Sequence, residues 1–298
     1  IRFLNGNIMI PMDVQNGEKV LLEIRELMNE LNVIFFLRHG TCLGAVRDGE
    51  LIKWDDDLDI GSIIGMNGLG KKSIYETVDK FRLAGFEVEV GESSLHIAIT
   101  LRKFGIPIDW HCYKIFQGNI YQYPVVKIPV ELHDDLKSIS FLGATFLVPN
   151  PPEKYLSLKY GSEWHIPKKM DYEDDIVNSI PESVILQQIR IFTRIHRFFF
   201  PNKYITKIRI LTHDNRPIEL AKVTLVGISE CATDHQGYAK FDLVSKRMHY
   251  ADEYAVIIEK NKKKEILFQE ILKPGFNYYY SPNKEQTSGR LHALKEEN

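Results

Sequence analysis

The sequence predicts an α+β protein, with a domain of mixed helices and strands over residues 1–200 and an all-β domain over residues 204–280. Helical and strand-like patterns are interleaved through the first part of the chain. After Pro201, five strand-like segments follow one another with turn residues between them, a spacing typical of a β-sandwich. We expect the tail, residues 281–298, to be weakly ordered.

The elements of the first domain are predicted from apolar periodicity and from capping residues. Apolar residues recur every three or four positions over 17–31, which predicts a helix with one buried stripe, and residues 33–37 follow as a buried strand. Gly40 permits close packing, and Thr41 is expected to cap a short helix through Val46. Further on we expect strands over 57–60, 86–90, 95–101 and 106–115, and helices over 74–85, 151–161 and 182–199.

The bulk composition excludes several classes of protein. Lys and Arg number 38 against 40 Asp and Glu, so the chain lacks the basic excess of a nucleic-acid-binding protein. Cys42, Cys112 and Cys231 are isolated, which favours a reducing, cytoplasmic setting over a disulfide framework. No stretch is long and apolar enough to span a membrane. The apolar stripe of the 182–199 helix is more typical of a core helix with a solvated basic face, and it leaves open a peripheral contact at the inner face of the membrane.

An acidic cluster is the strongest chemical signal, because residues 55–59 contain four aspartates. Such a group repels itself unless a cation neutralises it, and Mg²⁺ and Mn²⁺ prefer carboxylate oxygens. An EF-hand loop is excluded, because the sixth and twelfth positions from Asp55 hold Ile60 and Met66 instead of glycine and glutamate. The acids alone also fit an Asp-x-Asp glycosyltransferase site, whereas the upstream pair Gly40 and Thr41 favours a nucleotidyltransferase.

Two segments resemble the LicD family, to which fukutin and fukutin-related protein also belong. The first is the run HGTCLGAVRDG at residues 39–49 followed by LIKWDDDLDI at residues 51–60. The second lies within residues 152–167, where PEKYL, YGSEW and Pro167 are similar to the closing segment of the family pattern. Both occur in the expected order, so the resemblance extends over roughly residues 15–175.

The resemblance implies a nucleotidyltransferase fold related to DNA polymerase beta, with a mixed sheet that carries a pair of metal-binding acids and a third carboxylate on a neighbouring strand. Matched to the family pattern, Asp57 and Asp59 form the pair, and Asp109 is the candidate for the third ligand. Members of the family move a phospho-alcohol such as phosphocholine, ribitol phosphate or glycerol phosphate from a CDP-linked donor to a hydroxyl of a surface glycan. The expected cofactor is therefore Mg²⁺ or Mn²⁺, with two ions, and the expected partners are that donor and a polysaccharide acceptor.

Phosphate-binding residues are predicted from their positions beside the acids. We expect backbone N–H groups after Gly40, with the Thr41 hydroxyl, to bind a phosphate oxygen. Arg47 and Lys53 flank the acids and are further candidates for phosphate binding, although Arg47 fits a structural ion pair equally well.

Candidates for the general base are Asp55, Asp56 and His111, since His111 would share a strand face with Asp109. Two other histidines, His39 and His96, are expected to be structural.

The second domain carries no evident catalytic group. Residues 233–241 are similar to the turn and strand of carboxypeptidase regulatory-like sandwiches, so we expect an accessory module that binds acceptor glycan or mediates assembly. Two other functions stay open for the whole chain, namely nucleotidyl transfer to a small alcohol and a noncatalytic glycan-binding scaffold. The sequence indicates no oligomeric state.

Overall fold

The computed structural model of the chain describes residues 3–4, 7–8, 11–92, 95–123, 126–168, 200, 203–243, 252–282, 290–291 and 293–297. The chain divides into two compact units. The N-terminal unit consists of residues 10–122 and 127–172, and the C-terminal unit of residues 1–9, 123–126 and 173–298. The predicted helix over residues 182–199 lies outside the described residues.

Two short strands, β1 (Phe3–Leu4) and β2 (Asn7–Ile8), come first in the chain and belong to the C-terminal unit. Helices and strands are then interleaved up to Leu83, and seven strands in succession precede the last described α-helix, which ends at residue 160. The helices are α1 (Val14–Glu30), α2 (His39–Leu43), α3 (Lys71–Leu83) and α4 (Pro152–Tyr160). The strands are β3 (Phe36–Leu37), β4 (Leu58–Ile63), β5 (Glu87–Glu92), β6 (His96–Lys103), β7 (Ile106–Tyr113), β8 (Asn119–Gln122), β9 (Val126–Pro129), β10 (Lys137–Phe141) and β11 (Ala144–Val148).

A mixed sheet in the order β3-β4-β7-β6-β5 forms the centre of the N-terminal unit. Strands β4 and β7 are parallel, and the other neighbours are antiparallel. One face of the sheet is apolar, because Leu58, Ile60, Ile108 and Trp110 are fully buried and alternate with polar residues. Phe81 of α3 packs edge-on against Trp110, with ring centroids 6.1 Å apart. The opposite face is therefore the one that carries polar side chains.

Helix α1 forms where the apolar period predicts it. Its stripe of Val20, Leu21, Ile24 and Met28 is fully buried, and the Asp13 side chain caps the first turn by accepting a hydrogen bond from the Asn16 N–H at 3.0 Å. Strands β8 to β11 were not predicted, since they are only four or five residues long and such short strands give little periodic signal.

The expectation that Thr41 caps a helix is wrong. Thr41 lies inside α2, and the N-cap residue is Arg38. The Thr41 hydroxyl is buried and accepts a hydrogen bond from the Asp59 N–H at 2.7 Å. Its oxygen therefore satisfies a donor on the neighbouring strand β4 instead of a donor of its own helix.

The C-terminal unit is made of strands throughout its described residues. After β1 and β2 these are β12 (Ile205–Ile210), β13 (Lys222–Leu225), β14 (Ser229–Ala232), β15 (Tyr238–Asp242), β16 (Asp252–Lys260), β17 (Lys263–Leu272), β18 (Asn277–Tyr280), β19 (Arg290–Leu291) and β20 (Lys295–Glu296). One sheet has the order β14-β13-β16-β17-β19-β1-β2 and the other β15-β12-β18-β20. Both contribute to one apolar core, in which Ile208 and Phe241 of the second sheet join Val223 and Val256 of the first, as in a sandwich.

The predicted α+β class is confirmed, with few helices, mixed sheets and a strand-rich C-terminal part. Within residues 281–298, strands β19 and β20 pair with other strands, and residues 283–289 lie outside the described residues. Among the helices of the described residues, none has the length and apolar character needed to cross a membrane.

Candidate metal centre

The candidate centre lies on the polar face of the mixed sheet, where β4 and β7 run parallel. Asp59 of β4 and Asp109 of β7 are direct partners in the register of the two strands. Because partners on neighbouring strands project to the same face, their carboxylates lie side by side. Asp59 is buried, whereas Asp109 is partly exposed. The register thus brings together two acids that are fifty residues apart in the chain.

The other three aspartates approach from the segment before β4, which begins only at Leu58. Carboxylate oxygens of Asp57, Asp59 and Asp109 all lie within 4.8 Å of one another, and so do those of Asp55, Asp56 and Asp57. Asp57 is common to both groups. All five aspartates predicted for the site therefore form one continuous cluster.

The chemistry of this cluster fits a hard divalent cation. Burial, followed by the carboxylates of Asp59 and Asp55, raises the pKa of Asp57 well above its ordinary value, because each of these disfavours a further negative charge. A cation placed among the oxygens would reverse this effect. Oxygen ligands with no cysteine or histidine among them are the set that Mg²⁺ and Mn²⁺ prefer.

A buried arginine that the sequence analysis did not select lies against the cluster. Arg38, the residue before α2, is 1% exposed, and its Nη2 lies 2.8 Å from Asp59 Oδ1. Burial alone would lower the pKa of Arg38, but Asp59, Tyr113 and Asp109 raise it above its ordinary value, so the guanidinium stays charged. A signal was present in the sequence, since a charged residue directly follows the apolar run 33–37.

His39 is held in an unfavourable backbone conformation, with φ at +42°. Its N–H donates to the Tyr155 hydroxyl at 3.1 Å. Its ring accepts from Arg38 Nη1 at Nδ1, at 2.8 Å, and donates from Nε2 to Gln122 Oε1 at 3.1 Å. Tyr155 donates to the same Gln122 oxygen at 3.0 Å. The tyrosine of the closing motif in α4 thereby fixes the residue that precedes Gly40.

Burial is the main reason that the pKa of His39 lies well below its ordinary value, and the Lys159 and Arg38 cations lower it further. The ring is therefore neutral and has one donor and one acceptor nitrogen, as its two hydrogen bonds require. The expectation that His39 is structural agrees with these contacts.

Gly40 allows the close approach that the sequence predicts, and the group that approaches is Asp55. A Cβ on Gly40 would lie 2.0 Å from Asp55 Oδ2, so any larger residue would displace that carboxylate. Together with the bond between the Thr41 hydroxyl and the Asp59 N–H, this contact explains why a glycine and a hydroxyl residue precede the acids.

Strand β6 supplies a further contact that the sequence analysis missed. The Thr100 hydroxyl donates to Asp109 Oδ1 at 3.1 Å, and Thr100 is the direct partner of Asp109 in the β6-β7 pairing. The hydroxyl thus orients the carboxylate that the resemblance identifies as the third ligand.

Two residues beyond Asp109, His111 lies on the same strand face and stacks on His96, with ring centroids 4.5 Å apart. Burial, and then Arg38, lowers the pKa of His111 well below its ordinary value, and similar causes lower the pKa of His96 to about 4. Both rings are therefore neutral at physiological pH, and the same shifts make each of them a weak proton acceptor.

The two predicted phosphate-binding cations have partners outside the cluster. Arg47 donates from Nε and Nη2 to the carboxylate of Asp48, at 2.9 and 2.6 Å. Lys53 is exposed and lies 3.0 Å from Glu50. Arg47 thus makes an ion pair with its neighbour in the chain, and the phosphate-binding roles of both residues stay predictions.

Residues 32–151 match the family model described as LicD/FKTN/FKRP, nucleotidyltransferase domain. The matched range includes the five aspartates, Arg38 and Thr100, and it ends just before α4. No curated protein sequence matches the chain.

Proposed function

We propose that this chain, whose residues 32–151 match the LicD family model, is a metal-dependent phosphotransferase. It would move a phospho-alcohol such as phosphocholine, ribitol phosphate or glycerol phosphate from a CDP-linked donor to a hydroxyl of a surface glycan. The match to this family supports a phosphotransferase role in glycan modification in general. The donor, the acceptor and the capsular or cell-envelope setting are proposals.

The observation that carries the proposal is the convergence of Asp57, Asp59 and Asp109, whose oxygens lie within 4.8 Å of one another. These three residues would hold Mg²⁺ or Mn²⁺, and we propose two ions. When bound there, the metal would neutralise the diphosphate of the donor and lower the pKa of the acceptor hydroxyl. The rest of the catalytic work falls to groups of the chain itself.

The acceptor hydroxyl must lose a proton as it attacks the donor phosphorus. Three groups are candidates for the base. Asp55 and Asp56 belong to the outer group of acids, and His111 is neutral because its pKa is well below its ordinary value. The lowered pKa opposes protonation of the His111 ring, so His111 is the weaker candidate and Asp55 and Asp56 are the stronger ones.

Donor phosphates would bind around the first turn of α2, at Gly40 and Thr41. The Thr41 oxygen accepts from the Asp59 N–H, and a donor phosphate that reached this buried hydroxyl would accept its hydrogen. The absence of a side chain at Gly40 keeps the Asp55 carboxylate beside this turn. Arg47 and Lys53 would exchange their contacts with Asp48 and Glu50 for contacts with phosphate.

The test is product analysis with a set of CDP-linked alcohols. A thermal-shift screen of CDP-choline, CDP-ethanolamine, CDP-ribitol and CDP-glycerol in the presence of Mn²⁺ selects the donor, since a bound ligand raises the melting temperature. Release of CMP on addition of acceptor glycan, lost in Asp57→Asn, supports phospho-alcohol transfer. Stabilisation by none of these donors, with no CMP released, rejects it.

Nucleotidyl transfer to a small alcohol is the second candidate, because the matching model describes a nucleotidyltransferase domain. With CTP and the alcohol this reaction releases pyrophosphate instead of CMP, so the two products separate the candidates. A noncatalytic scaffold would bind glycan tightly without either product, and its binding would be unaffected by Asp57→Ala or Asp59→Ala.

The C-terminal unit is proposed as an accessory module that binds acceptor glycan or mediates assembly. Its two-sheet core offers a rigid support for such a surface. A cytoplasmic location, with peripheral contact at the inner face of the membrane, and the absence of a nucleic-acid partner stay predictions of the sequence.

A further inference from the structure

Arg38 is tied to both strands that carry the candidate metal ligands. Its Nη2 lies 2.8 Å from Asp59 Oδ1, its Nε donates to the Ile60 carbonyl at 3.0 Å, and Nη2 also reaches the Asp109 carbonyl at 3.4 Å. Asp59 and Ile60 belong to β4 and Asp109 to β7. A single side chain therefore spans the register pair that brings two of the three ligands together.

Gly61, the residue of β4 that follows Ile60, makes room chiefly for the Phe36 ring and also lies against the aliphatic part of Arg38. A Cβ at Gly61 would lie 2.8 Å from the ring of Phe36 and 3.4 Å from Arg38 Cδ. The planar fork of arginine satisfies a carboxylate and two carbonyls at once, whereas a lysine ammonium is a compact charge that cannot reproduce that geometry. The contact with three acceptors is thus specific to arginine, whereas a lysine at this position would keep the positive charge beside Asp59.

The charge of Arg38 has a second effect, on cations. A divalent ion among Asp57, Asp59 and Asp109 is attracted by their combined negative charge, and the guanidinium on Asp59 cancels part of it. A hydrogen bond that only oriented Asp59 would strengthen metal binding, as outer contacts usually do. A full positive charge at 2.8 Å from a ligand oxygen acts in the opposite direction, and at this distance the charge effect is the larger one.

We propose that Arg38 is a positioning residue that fixes Asp59 beside Asp109 and holds down the affinity of the site for divalent cations. This inference rests on the proposed function, because it assumes a cation at the aspartates. Because Arg38 cancels part of the negative charge of the aspartates, the free protein would hold the ion weakly. The diphosphate of the donor would add negative charge and so strengthen the binding of the ion. The site would then bind metal and donor together more strongly than either alone.

The test uses the full chain and Mn²⁺ alone, with free Mn²⁺ measured by electron paramagnetic resonance at a mildly alkaline pH. Two neutral replacements, Arg38→Met and Arg38→Gln, should tighten Mn²⁺ binding by at least about fivefold, since each removes a unit charge beside Asp59. Arg38→Lys should leave the affinity within about twofold of the wild type, because the charge remains. The matched control is Arg25→Met, which removes an arginine bonded to the Thr145 carbonyl in the same unit and should not change Mn²⁺ binding.

The outcomes test the role of Arg38 and the proposed metal site separately. Folded Arg38→Met or Arg38→Gln protein with unchanged or weaker Mn²⁺ affinity overturns the inference, and so does an equal gain in Arg38→Lys or Arg25→Met. If both neutral variants fail to fold, a fivefold change of affinity in Arg38→Lys, in either direction, overturns it. If the wild-type chain does not bind Mn²⁺, the metal site of the proposed function is rejected. This result comes from the wild type alone, so it is separate from any result with the Arg38 variants.

Discussion

Replacing Asp57 by asparagine removes one charge from the acidic cluster and changes the shape of the side chain very little. Asp57 is partly buried, and its oxygens lie within 4.8 Å of those of Asp59 and Asp109. In the metal-free protein this carboxyl either repels its neighbours or keeps a proton that the unfolded chain would release. Both states cost stability, so Asp57→Asn should stabilise the metal-free protein.

The magnitude follows from the separation of the charges. Two like unit charges at 4.8 Å repel by about 3.5 kcal/mol at an effective dielectric constant of about 20. Asp57 has four such neighbours, which are Asp55, Asp56, Asp59 and Asp109. Arg38 offsets the charge of Asp59, and partial exposure screens much of the remaining repulsion. We therefore expect a net gain of about 2 kcal/mol, or a rise in Tm of about 4–8 °C for a domain of this size.

Tryptophan fluorescence is a selective assay, because Trp54, Trp110 and Trp164 all belong to the N-terminal unit. In chelator, thermal unfolding of Asp57→Asn should occur above that of the wild type. In Mn²⁺ at about 100 times its Kd, the wild type gains about 2.7 kcal/mol. The variant has lost a ligand and gains less, so the order of the two proteins should invert.

The pH dependence of stability provides a second, independent test of this prediction. Burial and the neighbouring carboxylates raise the pKa of Asp57 in the folded state, so between the unfolded and folded pKa values the folded chain holds more protons. The wild type therefore loses stability as pH rises from about 4 towards the folded pKa, and Asp57→Asn lacks this loss. Near pH 4 the wild type and Asp57→Asn should have the same Tm.

The control is Asp135→Asn, the same change at an exposed carboxylate of the same unit. It should leave Tm unchanged in chelator and in Mn²⁺. The reasoning is refuted if Asp57→Asn melts no higher than Asp135→Asn in chelator, or if Mn²⁺ raises the Tm of Asp57→Asn as much as that of the wild type.

Three further predictions concern single contacts. Asp59→Ala leaves the buried Arg38 charge without its carboxylate and should destabilise the metal-free N-terminal unit by about 3–5 kcal/mol in urea unfolding, whereas equal stability would contradict the ion pair. Thr100→Val removes the donor to Asp109 and should weaken Mn²⁺ binding about tenfold, with Thr100→Ser close to the wild type. In the C-terminal unit, burial raises the pKa of Glu270 to about 7 although the Ala293 and Leu294 N–H groups lower it. That unit should therefore lose about 3 kcal/mol between about pH 5 and about pH 8 relative to Glu270→Gln in urea unfolding followed by circular dichroism, and parallel profiles would contradict the shift.

The fold was predictable where the signal was local and long. The stripe of α1 and the alternation of β6 and β7 extend over many residues, and each was found within a few residues of its true limits. The hairpin β10-β11 was missed, because its strands have five residues each and pair only with one another. Short strands are stabilised by their partners, and a single stretch of sequence does not show the partner.

The candidate site likewise has features that the sequence shows and features that only the structure shows. Four crowded aspartates after a glycine and a threonine are visible in the sequence and indicate a cation site, and the longer runs over residues 39–60 and 152–167 carry the resemblance to a family. From crowding alone, the loss of any one acid should relieve repulsion. The structure changes this expectation for Asp59, because Asp59 is paired with a buried arginine and its loss leaves that charge unpaired. For Asp57 the expectation that repulsion is relieved stays the same.

By itself the sequence determined which groups are acidic, how closely they follow one another and which helices and strands surround them, since these are properties of neighbouring residues. Only the tertiary structure decided that Asp109 stands beside Asp59, that Thr100 orients it and that Arg38 neutralises part of the cluster. The physical reason is that these contacts depend on strand register. A shift of one residue between β4 and β7 would send one carboxylate of the pair to the opposite face of the sheet.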